Sequence, residues 1–441
     1  MQRARINSAG RQIPQAETRN SPQRVYANRM PQRQQTAPKP AAPIKAAPKK
    51  KVKDPNRVRF WSVEGKVDVP MLIITLVLLA FGITMMFSAG HAWAYYKEGN
   101  SFHYVSRQLP AAGLGLLGMF FLTLFDYRFL RHEITIGKGG LSFTFAHIIL
   151  LAMLFLNFLC LPFGIAATAG GQKRWLPAPI VGSFQPSDLL KVAVIVFMAY
   201  YIHKNSDQIR RFWVGLAKPG MLFLVIVAIM MGIQWHISGT IIIFLIGAVM
   251  LFVGGVNIKP AVGVLLLAVG VMLVAIQVSG IGYFEERFAS MDPLYDPDDT
   301  TYQNLQATLA IGSGGLWGKG FGNSSQKYYY LPEAQNDFVY AILVEEFGFI
   351  GGAIVIILFL FFIARGFQIA RLSEDKFGCL LATGITFQIG LQALLNIAVN
   401  LSAVPNTGVS LPFFSYGGTA LMIQLWEMGL LLSVSKRAKL K

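Results

Sequence analysis

Ten long apolar runs constrain this chain more than any other feature. A helix needs about 20 apolar residues to cross the hydrocarbon core of a bilayer, and most of the runs approach that length. They occupy residues 70–88, 110–125, 143–161, 189–202, 221–234, 240–256, 261–278, 338–364, 380–399 and 419–434. Backbone groups in hydrocarbon must pair within their own segment. The runs therefore predict an all-α, polytopic membrane protein with about ten transmembrane helices.

The charge of the chain is concentrated in one tail. Of 441 residues only 14% are charged, against roughly 25% in soluble domains. The net charge of +17 would suit a nucleic-acid partner, but residues 1–60 hold 15 Lys and Arg against Glu17 and Asp54, which places +13 there. This region is rich in Pro, Gln and Ala and lacks hydrophobic periodicity, so it is predicted to be a disordered cytoplasmic tail beside acidic lipids. No nucleic-acid partner is expected, and residues 1–53 lack the apolar core of a cleavable signal peptide.

Lysine and arginine recur in every second connection between the runs, which is the pattern of the positive-inside rule. With the tail inside, the inner connections carry Arg128, Arg131, Lys138, Lys204, Arg210, Arg211, Lys218, Lys259, Arg365, Arg371, Lys376, Lys436, Arg437, Lys439 and Lys441. The pattern predicts cytoplasmic termini, a transmembrane domain over residues 61–435 and a short basic tail over residues 436–441. A large extracytoplasmic loop, residues 281–337, would then join helices 7 and 8.

That loop is acidic and ends at a carboxylate. Residues 280–337 contain eight Asp and Glu against three Lys and Arg, and Asp337 directly precedes the eighth apolar run. Desolvation at such a boundary is expected to raise the pKa of Asp337, as a general base requires. Asp is also a favoured helix N-cap, so the residue alone leaves both interpretations open. Cys160 and Cys379 lie in apolar runs without a Cys/His cluster, and no metal site is predicted.

Two other outer segments carry polar residues in unusual patterns. One contains Arg174 and Trp175, followed by Asp188 and Lys191, whose spacing of three places them on one helix face where they can pair. The other, residues 405–418, reads PNTGVSLPFFSYGG. Its prolines and glycines predict a broken, re-entrant path, which membrane proteins tolerate only where the backbone is buried in protein or lines a wet cavity.

These segments together resemble the FtsW/RodA/SpoVE (SEDS) family, whose members polymerise peptidoglycan strands from lipid II. The resemblance covers residues 68–436 and is carried by RW at 174–175, QPSDLLK at 185–191, YQ at 302–303, AIGSGG at 310–315, GKGFG at 318–322, LPEAQND at 331–337, EEFG at 345–348 and LPFFSYGG at 411–418. The basic tail and the amino-acid sequence around Asp337 are most similar to those of the division branch, FtsW. Two departures stand out: Asp188 where the family usually has Glu, and His236 in a corner where many members read QPD.

The resemblance implies that Asp337 is the catalytic base. It also implies a substrate-binding set of Arg174, Trp175, Asp188, Lys191, Lys327, Glu333 and Ser415. Arg174 and Lys191 are the first choices for holding a diphosphate, with Lys327 and Arg107 in reserve. Three alternatives remain open: an internal ion pair for Lys191, a membrane-interface anchor for Trp175, and a purely structural Ser415.

The implied activity is that of a peptidoglycan glycosyltransferase in the bacterial plasma membrane at the division septum. Its expected partners are lipid II, membrane lipids, a class B penicillin-binding protein (a transpeptidase) and other divisome membrane proteins. No organic cofactor is expected. Mg²⁺ or Mn²⁺ on the diphosphate is compatible with the acidic outer face but is not demanded by it. The rival interpretations are an elongation-type (RodA-like) polymerase, a lipid II flippase or other transporter, and a non-enzymatic scaffold for a transpeptidase.

Overall fold

The computed structural model describes residues 65–136, 141–166, 173–178, 182–257, 259–260, 262–263 and 299–439. Within these ranges, nine helices are long and apolar enough to cross a membrane, and they coincide with nine of the ten predicted runs. The remaining run, 261–278, lies outside the described residues apart from 262–263. The predicted tail over residues 1–60 and the first part of the acidic loop also lie outside them.

The helices, in chain order, are α1 (Val69–Glu98), α2 (His103–Leu124), α3 (Phe145–Phe158), α4 (Cys160–Phe163), α5 (Pro186–Lys204), α6 (Lys218–Gly232), α7 (Ile237–Gly254), α8 (Asp299–Gly314), α9 (Val339–Leu372), α10 (Lys376–Asn400) and α11 (Gly418–Ser435). A 3₁₀ turn follows α2 at Tyr127–Arg131, and a π-helical turn at Trp213–Ala217 leads into α6. Helix α8 lies inside the predicted acidic loop, so the described part of that loop begins as a helix.

Five short strands form two small antiparallel sheets in the connections, a detail that the apolar runs did not predict. Strands β1 (Glu133–Ile136) and β2 (Leu141–Thr144) pair before α3. Strands β3 (Ile165–Ala166), β4 (Lys173–Ala178) and β5 (Gly182–Phe184) form a sheet of order β3-β4-β5 before α5. Residues Arg174 and Trp175 belong to β4, so this sheet sets their position.

Local sequence signals explain several helix ends. Asp68 caps α1 by accepting a hydrogen bond from the Met71 amide at 2.9 Å, and Gly99 ends that helix in the left-handed conformation with φ of 68°. Asp375 caps α10 through the Gly378 amide, also at 2.9 Å. These caps satisfy amides that a helix start leaves without intrahelical partners.

Helices α5, α10 and α11 form the centre of the bundle. Protein buries 78% of the apolar window of α11 but only 22% of that of the α3 segment, whose remaining surface suits lipid. Helix α11 packs closely on α2, where small residues permit the approach. A side chain at Gly118 would overlap the Trp426 indole, and one at Gly429 would crowd the Met119 backbone. The central helices are therefore the ones that can carry a buried polar site.

Candidate active site

Helix α9 is broken at Gly348, which has φ of 68° and ψ of −170°. The part after the break, 349–372, is about 36 Å long and can cross the hydrocarbon alone. The part before it, 339–347, is a separate buried half-helix. The glycine-rich 315–320 turn docks against the break: its Lys319 amide donates to the Glu345 carbonyl at 3.0 Å, and its Gly320 amide donates to the next carbonyl at 2.9 Å. The half-helix is therefore joined by backbone hydrogen bonds to the turn that follows α8.

The two adjacent glutamates of the half-helix hold the preceding loop, residues 315–337, by separate ion pairs. Glu345 Oε1 lies 2.6 Å from Lys319 Nζ, and Glu346 Oε1 lies 2.8 Å from Lys327 Nζ. Lys327 and Glu346 are both fully buried, and the Ser88 hydroxyl of α1 donates to the second carboxylate at 2.6 Å. This enclosure does not fit the expectation that Lys327 binds a diphosphate. A buried cation that already has a buried anion anchors the loop instead.

Asp337 is held in place through its backbone while its carboxylate stays uncommitted. Its carbonyl accepts hydrogen bonds from the amide side chains of Asn396 at 2.7 Å and Asn400 at 3.0 Å, both on α10. The carboxylate has no hydrogen bond or ion pair within the described parts of the chain. The N-cap interpretation is therefore wrong. Phe338 occupies the cap position, and Asn400 Oδ1 accepts the first-turn amide of Ala341 at 3.0 Å.

The surroundings of Asp337 favour its protonated form. Its half-buried side chain is desolvated, and the negative charge of Glu333 lies nearby. These two effects raise its pKa from 3.8 to about 6. Glu333 itself is exposed, and its carboxylate accepts from Asn336 Nδ2 at 2.6 Å. A carboxylate with a pKa near 6 and free acceptor oxygens is suited to taking a proton near neutral pH.

Residues 405–418 follow the re-entrant, non-helical path that the sequence predicts, and Leu411–Ser415 are buried. Side chains from several helices satisfy this backbone. Gln108 of α2 donates to the Ser415 carbonyl and accepts from the Gly417 amide, at 3.3 and 3.1 Å. The Ser415 hydroxyl accepts the Leu411 amide at 2.8 Å. This favours the structural interpretation of Ser415 over direct contact with substrate.

The predicted pair of Asp188 and Lys191 forms in the first turns of α5, with 2.7 Å between Nζ and Oδ1. Both side chains line a polar cleft whose other polar walls are Gln388, Gln392, Ser410 and Gln424. The shorter Asp carboxylate still reaches the lysine. The cleft thus presents one cation and one anion among neutral amides and a hydroxyl.

The Arg174 side chain reaches from β4 to the turn before α7, which ends at His236. The Arg174 guanidinium donates to the backbone carbonyls of Gln234 at 2.9 Å and Trp235 at 2.7 Å. Gln185 Nε2 lies 3.4 Å from His236 Nδ1. Burial, and then the positive charge of Arg174, lower the pKa of His236 to about 4, so its imidazole is neutral at pH 7. At the position where many family members have QPD, this chain therefore places an uncharged imidazole beside Arg174.

Trp175 takes its position from the small sheet. It lies opposite Ile165 in the β3–β4 register and is partly exposed. Both the stacking and the anchoring interpretations of this side chain fit that environment.

The segment 407–410 connects these parts. Ser238, which follows His236, donates to the Thr407 carbonyl at 2.6 Å. Gly408 faces Asp337: a side chain there would begin 3.6 Å from Oδ2 of the carboxylate. The segment then ends at the polar cleft. One short stretch of irregular backbone thus lies beside the candidate base, the ion-paired cleft and the start of α7.

No group of three or more His, Cys, Asp or Glu side chains in the described ranges is placed to hold a metal ion.

Comparison with known proteins identifies the family to which this chain belongs. A family model described as "Cell cycle protein" and covering FtsW, RodA and SpoVE matches residues 69–440. The chain belongs to the FtsW/RodA/SpoVE family. All the motif residues discussed above lie inside the matched range apart from residue 68 at the edge of the resemblance.

Members of the FtsW/RodA/SpoVE family with related sequences come from several bacteria. The chain is 36% identical over 379 residues to the "Probable peptidoglycan glycosyltransferase FtsW" of Geobacter sp. (strain M18), covering 86% of this chain and 98% of that one. It is 37% identical over 384 residues to the "Stage V sporulation protein E" of Bacillus subtilis (strain 168), covering 84% and 98%.

Solved structures of the FtsW/RodA/SpoVE family have the same fold. RodA of Thermus thermophilus superposes with a TM-score of 0.61 at 25% identity, covering 85% of this chain and 98% of that one. A chain of a complex described under "Structural coordination of polymerization and crosslinking by a peptidoglycan synthase complex" gives 0.67 at 26% identity, covering 84% and 97%.

Sequence reasoning missed a polar stripe in this FtsW/RodA/SpoVE member. The amides Gln388, Gln392, Asn396 and Asn400 recur every four residues along α10, and the structure places them from the cleft to the backbone of Asp337. Glu427 of α11 joins the stripe by accepting from Gln388 Nε2 at 2.6 Å. The period of four within an apolar run was the available signal, because polar residues inside membrane spans usually face a partner or a cavity.

Proposed function

We propose that this protein is a peptidoglycan glycosyltransferase that polymerises lipid II, with Asp337 as the general base. The observation that carries the proposal is the state of the Asp337 carboxylate. It is desolvated, has a pKa near 6 and is free to accept, and a neighbouring helix fixes its backbone. Two relatives carry the activity in their names: "Probable peptidoglycan glycosyltransferase FtsW" of Geobacter species.

In the proposed reaction, a hydroxyl of one lipid-linked saccharide attacks the anomeric carbon of another. A bond forms between the hydroxyl oxygen and that carbon, and the bond from the carbon to the diphosphate oxygen breaks. Asp337 takes the hydroxyl proton, and the electron pair of the broken bond leaves on the undecaprenyl diphosphate. A positioned base of this kind contributes about 10² to 10⁴-fold to the rate.

Cations must hold the departing diphosphate, whose negative charge grows as the bond breaks. Arg174 and Lys191 are proposed for this role. Lys191 would exchange its bond to Asp188 for the diphosphate, so the ion pair keeps the cation in place between turnovers. The protein needs no organic cofactor for these steps, and Mg²⁺ or Mn²⁺ would act by neutralising the diphosphate.

The proposed setting is the plasma membrane at the division septum, with a class B penicillin-binding protein and other divisome membrane proteins as partners. A structural relative belongs to a peptidoglycan synthase complex that coordinates polymerisation and crosslinking, which supports a transpeptidase partner. Sequence relatives include FtsW proteins and a sporulation protein of similar identity. The basic tail and the amino-acid sequence of the 331–337 motif favour the division role.

Reconstitution with purified lipid II and no other polymerase tests the proposal. The wild type should lengthen glycan strands, whereas Asp337→Asn should lose about 10² to 10⁴-fold in rate while melting no lower than the wild type and keeping lipid II binding. The fold should survive because the carboxylate makes no hydrogen bond within the described residues. Glu374→Gln, at an exposed carboxylate between α9 and α10 and at the other end of α9 from Asp337, is the matched control and should keep most of the rate.

Strand growth by Asp337→Asn at the wild-type rate would remove this residue from the mechanism. If the wild type moves lipid II between leaflets without lengthening strands, the transporter interpretation replaces this one. If the wild type neither moves lipid II nor lengthens strands, with or without the transpeptidase, the scaffold interpretation replaces this one.

A further inference from the structure

Three aromatic rings form an exposed cluster beyond the end of the α1 membrane span. The ring centroids of Trp93 and Tyr329 are 5.4 Å apart, those of Tyr96 and Tyr329 are 5.0 Å apart, and those of Trp93 and Tyr96 are 6.4 Å apart. Tyr96 remains 71% exposed and Tyr329 44% exposed. We call Trp93, Tyr96 and Tyr329 the aromatic cluster. Rings that touch each other and still face solvent offer flat apolar surface to a ligand.

Charged groups connect the aromatic cluster to the proposed base. Lys97 Nζ lies 4.8 Å above the Trp93 ring and 3.8 Å from a Glu333 carboxylate oxygen. The Glu333 carbonyl in turn accepts the Asp337 amide at 3.3 Å. Lys97 and Glu333 are about half exposed, so they can also bind ligand hydroxyls. The polar edge of the cluster is therefore linked through Glu333 to the turn that carries Asp337.

The backbone beside the cluster is held in a conformation that side chains rarely adopt. Tyr329 has φ of 68° and Glu333 has φ of 53°. The Tyr329 hydroxyl donates to the Ala92 carbonyl at 3.1 Å, and Trp93 Nε1 donates to the Leu331 carbonyl at 3.3 Å. Such strain in non-glycine residues collects at ligand clamps and active sites.

Helix length separates the cluster from an ordinary interfacial belt of aromatic residues. With hydrocarbon beginning at Val69, about 20 residues cross it, and the span ends near Ser88. Tyr96 then lies about 12 Å farther along the axis, past the headgroup level at which membrane-anchoring Tyr and Trp concentrate. With the bilayer in this position, the exposed face of Tyr96 meets water.

We infer that the aromatic cluster, with Lys97 and Glu333 at its edge, is a saccharide-binding site that holds the growing glycan strand beside Asp337. The inference rests on the proposed glycosyltransferase function. The C–H faces of pyranose rings stack on Trp and Tyr rings, and their hydroxyls pair with the flanking ammonium and carboxylate. A strand held there stays close to the base between additions, so the enzyme makes longer products before release.

The direct test is the binding of peptide-free, uncrosslinked glycan strands of N-acetylglucosamine and N-acetylmuramic acid to the purified full chain. No lipid II is present, so binding is measured without turnover. Tyr96→Ala should weaken strand binding about threefold to tenfold, the range expected for one aromatic contact. In reconstituted polymerisation the same variant should make shorter strands than the wild type does.

Two variants serve as controls. Tyr95→Ala removes a neighbouring ring that is 64% exposed and lies outside the cluster, so it should bind strands as the wild type does. Tyr96→Phe keeps the ring and should restore binding. Equal effects of Tyr95→Ala and Tyr96→Ala, or a lower melting temperature with unchanged strand binding, would make the cluster an anchor and overturn the inference.

Two further outcomes separate the inference from the proposed function. Loss of lipid II binding in Tyr96→Ala with unchanged strand binding would also overturn it, by assigning the rings to the incoming substrate. If the wild type polymerises lipid II while Tyr96→Ala binds strands normally, the inference fails and the proposed function stands. If the wild type does not polymerise, the strand-binding series still decides whether the cluster binds saccharide.

Discussion

Replacing Lys327 with methionine should be strongly destabilising because it leaves a carboxylate alone in the protein interior. Lys327 and Glu346 are both fully buried, 2.8 Å apart, and the Ser88 hydroxyl lies 2.6 and 2.8 Å from the two carboxylate oxygens. Removing one member of such a pair costs about 3–5 kcal/mol, and the remaining hydroxyl recovers only part of that. We expect the melting temperature in detergent to fall on the order of 5 °C or more.

The double variant Lys327→Met/Glu346→Gln separates the ion pair from general damage to the loop. With both charges absent, no ion is left buried, and the double variant should unfold at a higher temperature than Lys327→Met alone. The assay is thermal unfolding of all three variants and the wild type, followed by strand synthesis. Activity should track stability because the pair fixes the loop that leads to Asp337.

The neighbouring ion pair supplies a graded control. Lys319 is 33% exposed, and after its removal Glu345 keeps hydrogen bonds from the Ser324 hydroxyl and from the amides of Ser325 and Gln326, the latter two at 3.0 and 3.3 Å. Lys319→Met should therefore cost only about 1 kcal/mol. The reasoning fails if this variant loses as much stability as the fully buried one, or if the double variant is no more stable than Lys327→Met.

Three further predictions concern the site. Polymerisation should fall as the pH drops through about 6, the raised pKa of Asp337, because the base must be deprotonated, and a flat rate profile between pH 5 and 7 would contradict this. Because the pKa of Asp337 in the folded state exceeds the ordinary 3.8, protonation of this carboxylate also favours the folded state. This contribution is complete below pH 3.8 and is lost as the pH rises through 6. Neutralising either Asp188 or Lys191 should cost about 3 kcal/mol, whereas the double neutral variant should be better folded than either single one, and additive losses in the thermal cycle would refute the coupling. Asn400→Ala removes the acceptor of one first-turn amide and a donor to the Asp337 carbonyl, and should lower stability by about 1–3 kcal/mol with a matching loss of strand synthesis, as melting and product length will show.

The amino-acid sequence by itself determined the membrane-spanning helices and the points where regular structure stops. Hydrocarbon thickness sets the length of an apolar run, and backbone chemistry makes it a helix, so nine spans could be predicted without any tertiary contact. The pairing of Asp188 with Lys191 was predictable from their spacing of three on a helix. The irregular path of residues 405–418 was predictable from its prolines and glycines. In each case the cause lies within a few neighbouring residues.

Tertiary structure alone decided how distant polar groups meet. Lys327 could have faced a diphosphate, but the fold encloses it with Glu346 and with Ser88 from a helix more than 200 residues earlier. Asp337 could have capped its own helix, but Asn400, 63 residues away, takes that amide and leaves the carboxylate free. Local periodicity places a side chain on a helix face. Which partner it finds there depends on the packing of helices that are remote in the chain, because a buried polar group pairs with whatever donor or acceptor the assembled bundle brings within reach.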